Sequence, residues 1–303
     1  MRATPERLGL LFAVSCAVNG AFVPAVAKLT TGRADALLVA AVSTACAGVA
    51  AVAVLALRGQ LALLVTPRLA PRLLLIAALG TACAHLLFYV GASRTSAIVA
   101  TLCLQIEPAY ALLLSWLVLG HRPTPRRLGA TALLLGGIAL ALGSGAVEGS
   151  IGIWLLLATP LCWQLSHLVV LRRLAGTPAV VLSGARYLYG GVLLAAIWLV
   201  GGAPSPPLTA LVGALPLLAV QGVVLGLGGT LLWYEAIARL DLTRATAIVV
   251  PLIPLLSLAA SFALLGEVAT PRQWLGLGLT AIGILVFVTG PAAVSSPARG
   301  AAE

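Results

Sequence analysis

The chain has 303 residues, 61% of them hydrophobic and 9% charged, with a formal net charge of +10 and a mean hydropathy of +1.12. A soluble domain carries roughly a quarter charged residues and a disordered chain has low hydrophobicity, so both are excluded and the chain is an integral protein of a lipid bilayer. The basic residues stand singly or in pairs between apolar runs, with no stripe that would track phosphates, so the charge points to no nucleic acid partner.

Lipid offers the backbone no hydrogen bonds, so apolar runs of about 20 residues are read as spanning helices. Ten follow in chain order, over residues 8–29, 36–57, 73–93, 96–119, 128–144, 151–171, 179–200, 211–238, 243–265 and 273–290. The first run ends in Ala25-Val26-Ala27, which resembles a signal-peptidase site, but its length suits a full span. The connections alternate in charge. With both termini cytoplasmic, thirteen of the eighteen basic residues fall on the inner side and four, Lys28, Arg33, Arg94 and Arg272, on the outer side, with Arg186 inside the seventh span. That asymmetry supports an even number of spans and this orientation. The five cysteines sit in apolar runs without CxxC spacing and read as small packing residues.

The second half of the chain echoes the first at a constant offset of 146 residues: Pro108 aligns with Pro254, Leu119-Gly120 with Leu265-Gly266, Thr124-Pro125-Arg126 with Thr270-Pro271-Arg272, and Gly137 with Gly283. Five spans per half is an odd number, so the second half crosses in the opposite sense. The fold expected is all-α, with ten transmembrane helices in two inverted five-helix repeats, 1–147 and 148–290, followed by a cytoplasmic tail, 291–303. Such pairs build a site near the bilayer midplane and alternate access to it.

Polar residues inside spans mark that site, because a charge at the bilayer centre costs roughly 2.5 to 3.5 kcal/mol on insertion scales. Counting about 1.5 Å per residue from the inner helix ends puts Glu107 and His85 at roughly 18 Å, Asn19 near ~16 Å and Arg186 near ~10 Å. Glu107 is read as a proton or ammonium site, with a structural ion pair to Arg186 as the alternative. Arg186 is read as a ligand for a substrate carboxylate, or as a side chain snorkelling to the interface. His85 is a candidate proton relay and Asn19 a candidate substrate contact, each also explained as an interhelical hydrogen bond. Trp163 and Gln164, with His167, are read as lining the inner vestibule at the sixth span, with an interfacial belt position as the alternative for Trp163. Pro108 and Pro254 are read as helix breaks or gating points that free backbone carbonyls. Gly222 and Gly226 read as a close-packing pair. Glu235 and Arg239 are spaced for a helix-surface ion pair, while Glu267 and Arg272 read as parts of a solvated outer loop.

Asn19-Gly20-Ala21-Phe22 with Lys28, Glu107-Pro108, and Leu265-Gly266-Glu267 resemble EamA-type transporters of the drug/metabolite transporter superfamily. His121 departs from that pattern, standing where an acidic residue is usual, and Asn19 stands where an aromatic residue is common. The resemblance implies a carrier in a bacterial inner membrane, exporting a small metabolite, amino acid or drug. No P-loop is present, so transport is expected to be secondary, with protons as the coupling ion and no cofactor or metal. Oligomeric state is not legible. The rival readings are a membrane-embedded enzyme acting on lipid or peptide, for which neither HExxH nor GxSxG is present, and a receptor or assembly subunit that moves no solute.

Overall fold

The computed structural model describes residues 5–143, 150–201, 207–240 and 242–289. The Pro-rich part of the connection after the seventh span and the expected tail lie outside them. All regular structure among the described residues is helical, and ten helices are long and apolar enough to cross a membrane. They are span 1 (Pro5–Thr31), span 2 (Ala36–Leu57), span 3 (Ala70–Ser93), span 4 (Ala97–Leu119), span 5 (Pro125–Leu142), span 6 (Ile151–Arg173), span 7 (Ala179–Val200), span 8 (Thr209–Leu240), span 9 (Leu242–Leu265) and span 10 (Pro271–Val288). Spans 1, 3 and 5 begin three residues before the hydropathic runs, because their first turns are polar and Pro-containing. Proline is well tolerated there, where no intrahelical N–H is needed.

The repeated motifs turn out to be start and stop signals. Gly120 and Gly266 end spans 4 and 9 with φ of 74° and 67°, the left-handed geometry that glycine adopts without a Cβ clash. Thr124 and Thr270 then cap spans 5 and 10 by accepting from the backbone N–H of Arg127 and Gln273, with Pro125 and Pro271 in the first turn. One repeated stretch thus encodes one helix end and the next helix start.

Three spans are irregular. Span 3 is π-helical over Ala78–Cys83 and span 8 over Val220–Gly228, overlapping windows under the 146-residue offset. A π segment leaves carbonyls outside the normal i to i+4 ladder. Span 4 is broken between Leu104 and Glu107, because Pro108 has no N–H to give to the Leu104 carbonyl. The corresponding break expected at Pro254 is not found: span 9 runs as one helix through Pro251 and Pro254. Helix interiors in bundles tolerate proline when neighbours and local adjustments satisfy the freed groups.

The halves are held together by contacts that exchange under the same offset. Span 2 packs on span 7 and span 5 on span 10, while spans 1 and 8 correspond to spans 6 and 3, and spans 1 and 9 to spans 6 and 4. A Cβ on Gly137 would sit 2.7 Å from the Gly276 carbonyl oxygen, and one on Gly283 2.9 Å from that of Ala130. Those are the same contact seen from each half. The pair is clasped at both ends: Arg126 donates to Thr289 Oγ1 at 3.0 Å, and Arg272 to the Leu142 carbonyl at 3.2 Å. Arg272 therefore ties two spans together, which replaces its reading as part of a solvated loop. Gly222 lies against the Ser43 carbonyl of span 2 and Gly226 against the Tyr187 ring, the close-packing role expected of them.

Candidate functional site

The polar residues of the middle layer keep accessible surface although they lie deep in the bundle. Glu107, His85, Arg186 and Tyr187 keep accessible surface, and His167 is exposed, yet Glu107, His85, Tyr187 and His167 lie deep among protein atoms. Solvent contact that deep inside the bundle requires an internal space.

Glu107 is placed by the break in span 4, as the first residue of the segment Glu107–Leu119, where unpaired N–H groups and the helix dipole favour a carboxylate. Its Oε1 accepts from Gln164 Nε2 at 2.8 Å, joining the first half to the second. Trp163 is half-buried beside Gln164. The second-half counterpart of Glu107 is Ile253, whose side chain would lie 3.2 Å from a Cβ on Gly20. Only one of the two equivalent positions is acidic.

Arg186 forms no ion pair with Glu107. Its guanidinium donates to the Gly80 carbonyl at 2.8 Å and to Thr81 Oγ1 at 3.4 Å, both in the π segment of span 3, which supplies a carbonyl outside the helical ladder. The structural ion pair that is the alternative reading of Glu107 is not formed, and the two charges have separate partners.

Asn19 of span 1 reaches the other π segment: its Nδ2 donates to the Val224 carbonyl of span 8 at 2.8 Å. Its Oδ1 has no partner and would stand 2.6 Å from a Cβ on Gly229. Each π segment thus accepts a side chain of the opposite half, and in the α-helical turn before that of span 3 the Ile76 carbonyl accepts from Ser166 Oγ at 3.2 Å.

His85 shares a hydrogen bond of 2.8 Å between Nδ1 and Thr44 Oγ1. Its ring meets Tyr89 edge-on, centroids 5.7 Å apart, and Tyr187 at 6.3 Å. Tyr187 Oη reaches Thr230 at 3.3 Å. Thr44, Tyr89, Tyr187 and Thr230 were not legible as site residues, because hydroxyls in membrane helices commonly bond their own backbone. Their one sequence signal is that Tyr187 adjoins Arg186. Among the described residues no group of three or more His, Cys, Asp or Glu could hold a metal.

Span 4 packs differently along its length. The first segment of span 4 packs against spans 1, 6 and 9, whereas the segment Glu107–Leu119 packs substantially only on spans 5 and 6. Ile98 and Leu102 are buried with Leu258 and Leu277, and Ala25, Ala97 and Ala260 close together beside them. On the opposite side, Leu112 is the one buried residue of Glu107–Leu119. Span 4 thus packs on spans 1, 6 and 9 where it starts, and loses the contacts with spans 1 and 9, while keeping span 6, where it ends.

Comparison with known proteins gives three findings. The profile of the EamA-like transporter family matches residues 7–143 and again 150–289. A protein of Streptantibioticus cattleyicolor described as a probable terminal-alkyne amino-acid exporter is 27% identical over 220 residues, 72% of each chain. A solved structure described only as "Crystal structure of protein" superposes with a TM-score of 0.63 at 19% identity, covering 92% of this chain and 95% of the other, a likeness of fold.

Proposed function

Since the chain belongs to the EamA-like transporter family, we propose that it is a secondary exporter of small zwitterionic amino acids, working by alternating access with proton coupling. The observation that carries this reading is that one carboxylate, Glu107, and one guanidinium, Arg186, both keep accessible surface inside the bundle, each with its own partners and not paired to the other. An α-amino acid presents the complementary pair. Its carboxylate takes the free face of Arg186 and its ammonium takes Glu107, so that the substrate supplies the ion pairing the protein itself lacks. The relative's description as an amino-acid exporter supports the same cargo class.

Proton coupling follows from competition. A proton on Glu107 removes the charge that holds the ammonium, so loading with proton from outside releases cargo and loading with cargo from inside releases proton. His85, hydrogen-bonded to Thr44, is the relay toward the second span, and Asn19 lines the space from the first. Pro108 sets the hinge that lets the second segment of span 4 swing. The two five-span halves are inserted in opposite senses and rock about the reciprocal 2–7 and 5–10 contacts. The side on which span 4 ends carries most of the arginines, so it is the cytoplasmic side of a bacterial inner membrane, with both termini there and cargo loading from within.

The test is counterflow of radiolabelled neutral amino acids in proteoliposomes with an imposed pH gradient. Accumulation that follows the gradient in wild type, and falls at least tenfold in Glu107→Gln, is the expected result. Gradient-independent flux undiminished in Glu107→Gln would remove both the proton and the acid from the mechanism.

A further inference from the structure

The side on which span 4 starts is held by an acid that the transport site does not use. Glu267 follows Gly266 at the end of span 9, in the second half, and was read from sequence as part of a solvated loop. Its carboxylate instead crosses to the first half and accepts two backbone hydrogen bonds at the start of span 4, from Ala97 N at 3.0 Å through Oε1 and from Ile98 N at 3.1 Å through Oε2. Ser96 takes the next donor, Val99 N, at 3.1 Å. Three of the donors that every helix start leaves open are thus satisfied, two of them from the other half of the protein. Directly beside this contact lie Ala25, Ala97 and Ala260, the closed seam between spans 1, 4 and 9.

The arrangement is one-sided. Under the 146-residue offset the position equivalent to Glu267 is His121. Its imidazole stays on its own span, with Nδ1 3.2 Å from Ser115 Oγ. Where span 4 starts there is a carboxylate bridging the halves; at the equivalent position, on the side where span 4 ends, there is none.

We propose that Glu267 is the latch of the closed gate: its carboxylate, bound to the start of span 4, holds the outer side shut while the site is open to the cytoplasm, and this contact must break for cargo to leave. The inference rests on the alternating-access reading above. A charged acceptor at a helix start is stabilised both by its hydrogen bonds and by the helix dipole. Opening that side separates span 4 from span 9 and returns both the carboxylate and the two N–H groups to water. His121 makes no such cap; on its side the halves are joined by other contacts, Arg72 to the Arg173 carbonyl, Arg172 to the Val118 carbonyl and Arg244 to Glu6, none of which binds the backbone N–H groups at the start of a helix of the opposite half.

Pulsed electron paramagnetic resonance in nanodiscs tests this without any cargo. One pair of spin labels at Arg33 and Thr209 spans the two halves on the Glu267 side, and a second pair at Arg58 and Arg173 spans them on the other; all four positions are exposed. In Glu267→Ala the ratio of wide to narrow Arg33–Thr209 separations is expected to rise about fivefold, the scale of losing a helix cap, while the Arg58–Arg173 separation narrows. Glu267→Gln keeps the size and one acceptor oxygen and is expected to shift the same way by less, which covers the case of an alanine variant that does not fold. His121→Glu, which puts a second carboxylate at the equivalent place, is expected to narrow the Arg58–Arg173 pair. A lower melting temperature with both distance distributions unchanged in Glu267→Ala and Glu267→Gln would make the contact merely structural and overturn the latch. Failure to move amino acids in liposomes would sink the cargo alone, since the distances are read without it.

Discussion

At the scale of single residues, the candidate site is defined by what Arg186 does with its hydrogen bonds. A planar guanidinium can hold the Gly80 carbonyl and Thr81 Oγ1 together while leaving N–H groups for a ligand, and an ammonium on a flexible stem cannot reproduce that fork. Arg186→Lys is therefore expected to fold normally and to raise the KM for an amino-acid substrate about tenfold, the scale of one charge-assisted hydrogen bond. Arg186→Ala removes the charge and leaves the Gly80 carbonyl unserved, with transport lost. Initial-rate uptake against substrate concentration separates the two outcomes. The sequence made Glu107, Arg186 and His85 conspicuous because ionisable groups are expensive in a bilayer. It did not reveal that the two charges stand apart, since helical rise alone says nothing of a π segment whose spare carbonyl captures the guanidinium. Nor did it distinguish Tyr187 or Thr44 from any other hydroxyl in a membrane helix.

At the scale of helices, the close approach of spans 5 and 10 depends on missing side chains. A Cβ at Gly137 would lie 2.5 Å from Thr280 Oγ1 and 2.7 Å from the Gly276 carbonyl, against backbone that cannot give way, while Gly136 has open space around the same atom. Gly137→Leu is expected to destabilise the protein by about 1 to 3 kcal/mol, the range for overpacking. Gly283→Leu should cost about as much, because it strikes the reciprocal contact, and Gly136→Ala should be neutral or slightly stabilising. Thermal unfolding in detergent checks all three, and a large loss in Gly283→Leu without one in Gly137→Leu would contradict the reciprocity. A second expectation concerns spans 3 and 6, whose thiols at Cys83 and Cys162 are 3.4 Å apart and unoxidised. Treatment with a copper–phenanthroline oxidant, which takes the two electrons, is expected to join them, with a mass loss of two hydrogen atoms and arrested transport restored by reductant; Cys83→Ser should abolish the response. Much of this level was legible. Hydropathy located all ten helices, and Leu-Gly followed by Thr-Pro-Arg marked a helix end and a new start twice. The π segments of spans 3 and 8 were hidden, because one extra residue in a turn leaves hydropathy unchanged. The break expected at Pro254 failed because proline removes a donor without dictating whether its neighbours will absorb the loss.

At the scale of the whole molecule, the direction of access follows from the way span 4 divides. Its first segment packs on spans 1, 6 and 9 and its second lacks the contacts with spans 1 and 9, so under the proposed mechanism a solute is expected to reach Glu107 along the second segment. Two single-cysteine positions read this directly in a cysteine-free background. His167→Cys stands on the open side, exposed although deep in the bundle, whereas Thr101→Cys lies in the closed seam at 1% exposure. A membrane-impermeant maleimide is expected to label position 167 from the cytoplasmic side, in inside-out vesicles, and to leave position 101 unlabelled from either side. Saturating substrate should slow labelling at 167, since cargo held between Glu107 and Arg186 fills the route. An imposed outward-facing bias, such as Glu267→Ala, should expose position 101 to reagent added outside. Labelling of position 167 from the periplasmic side alone would reverse the orientation assigned from the arginine distribution. It would turn the resting state into one open to the outside, and with it the expected direction of loading.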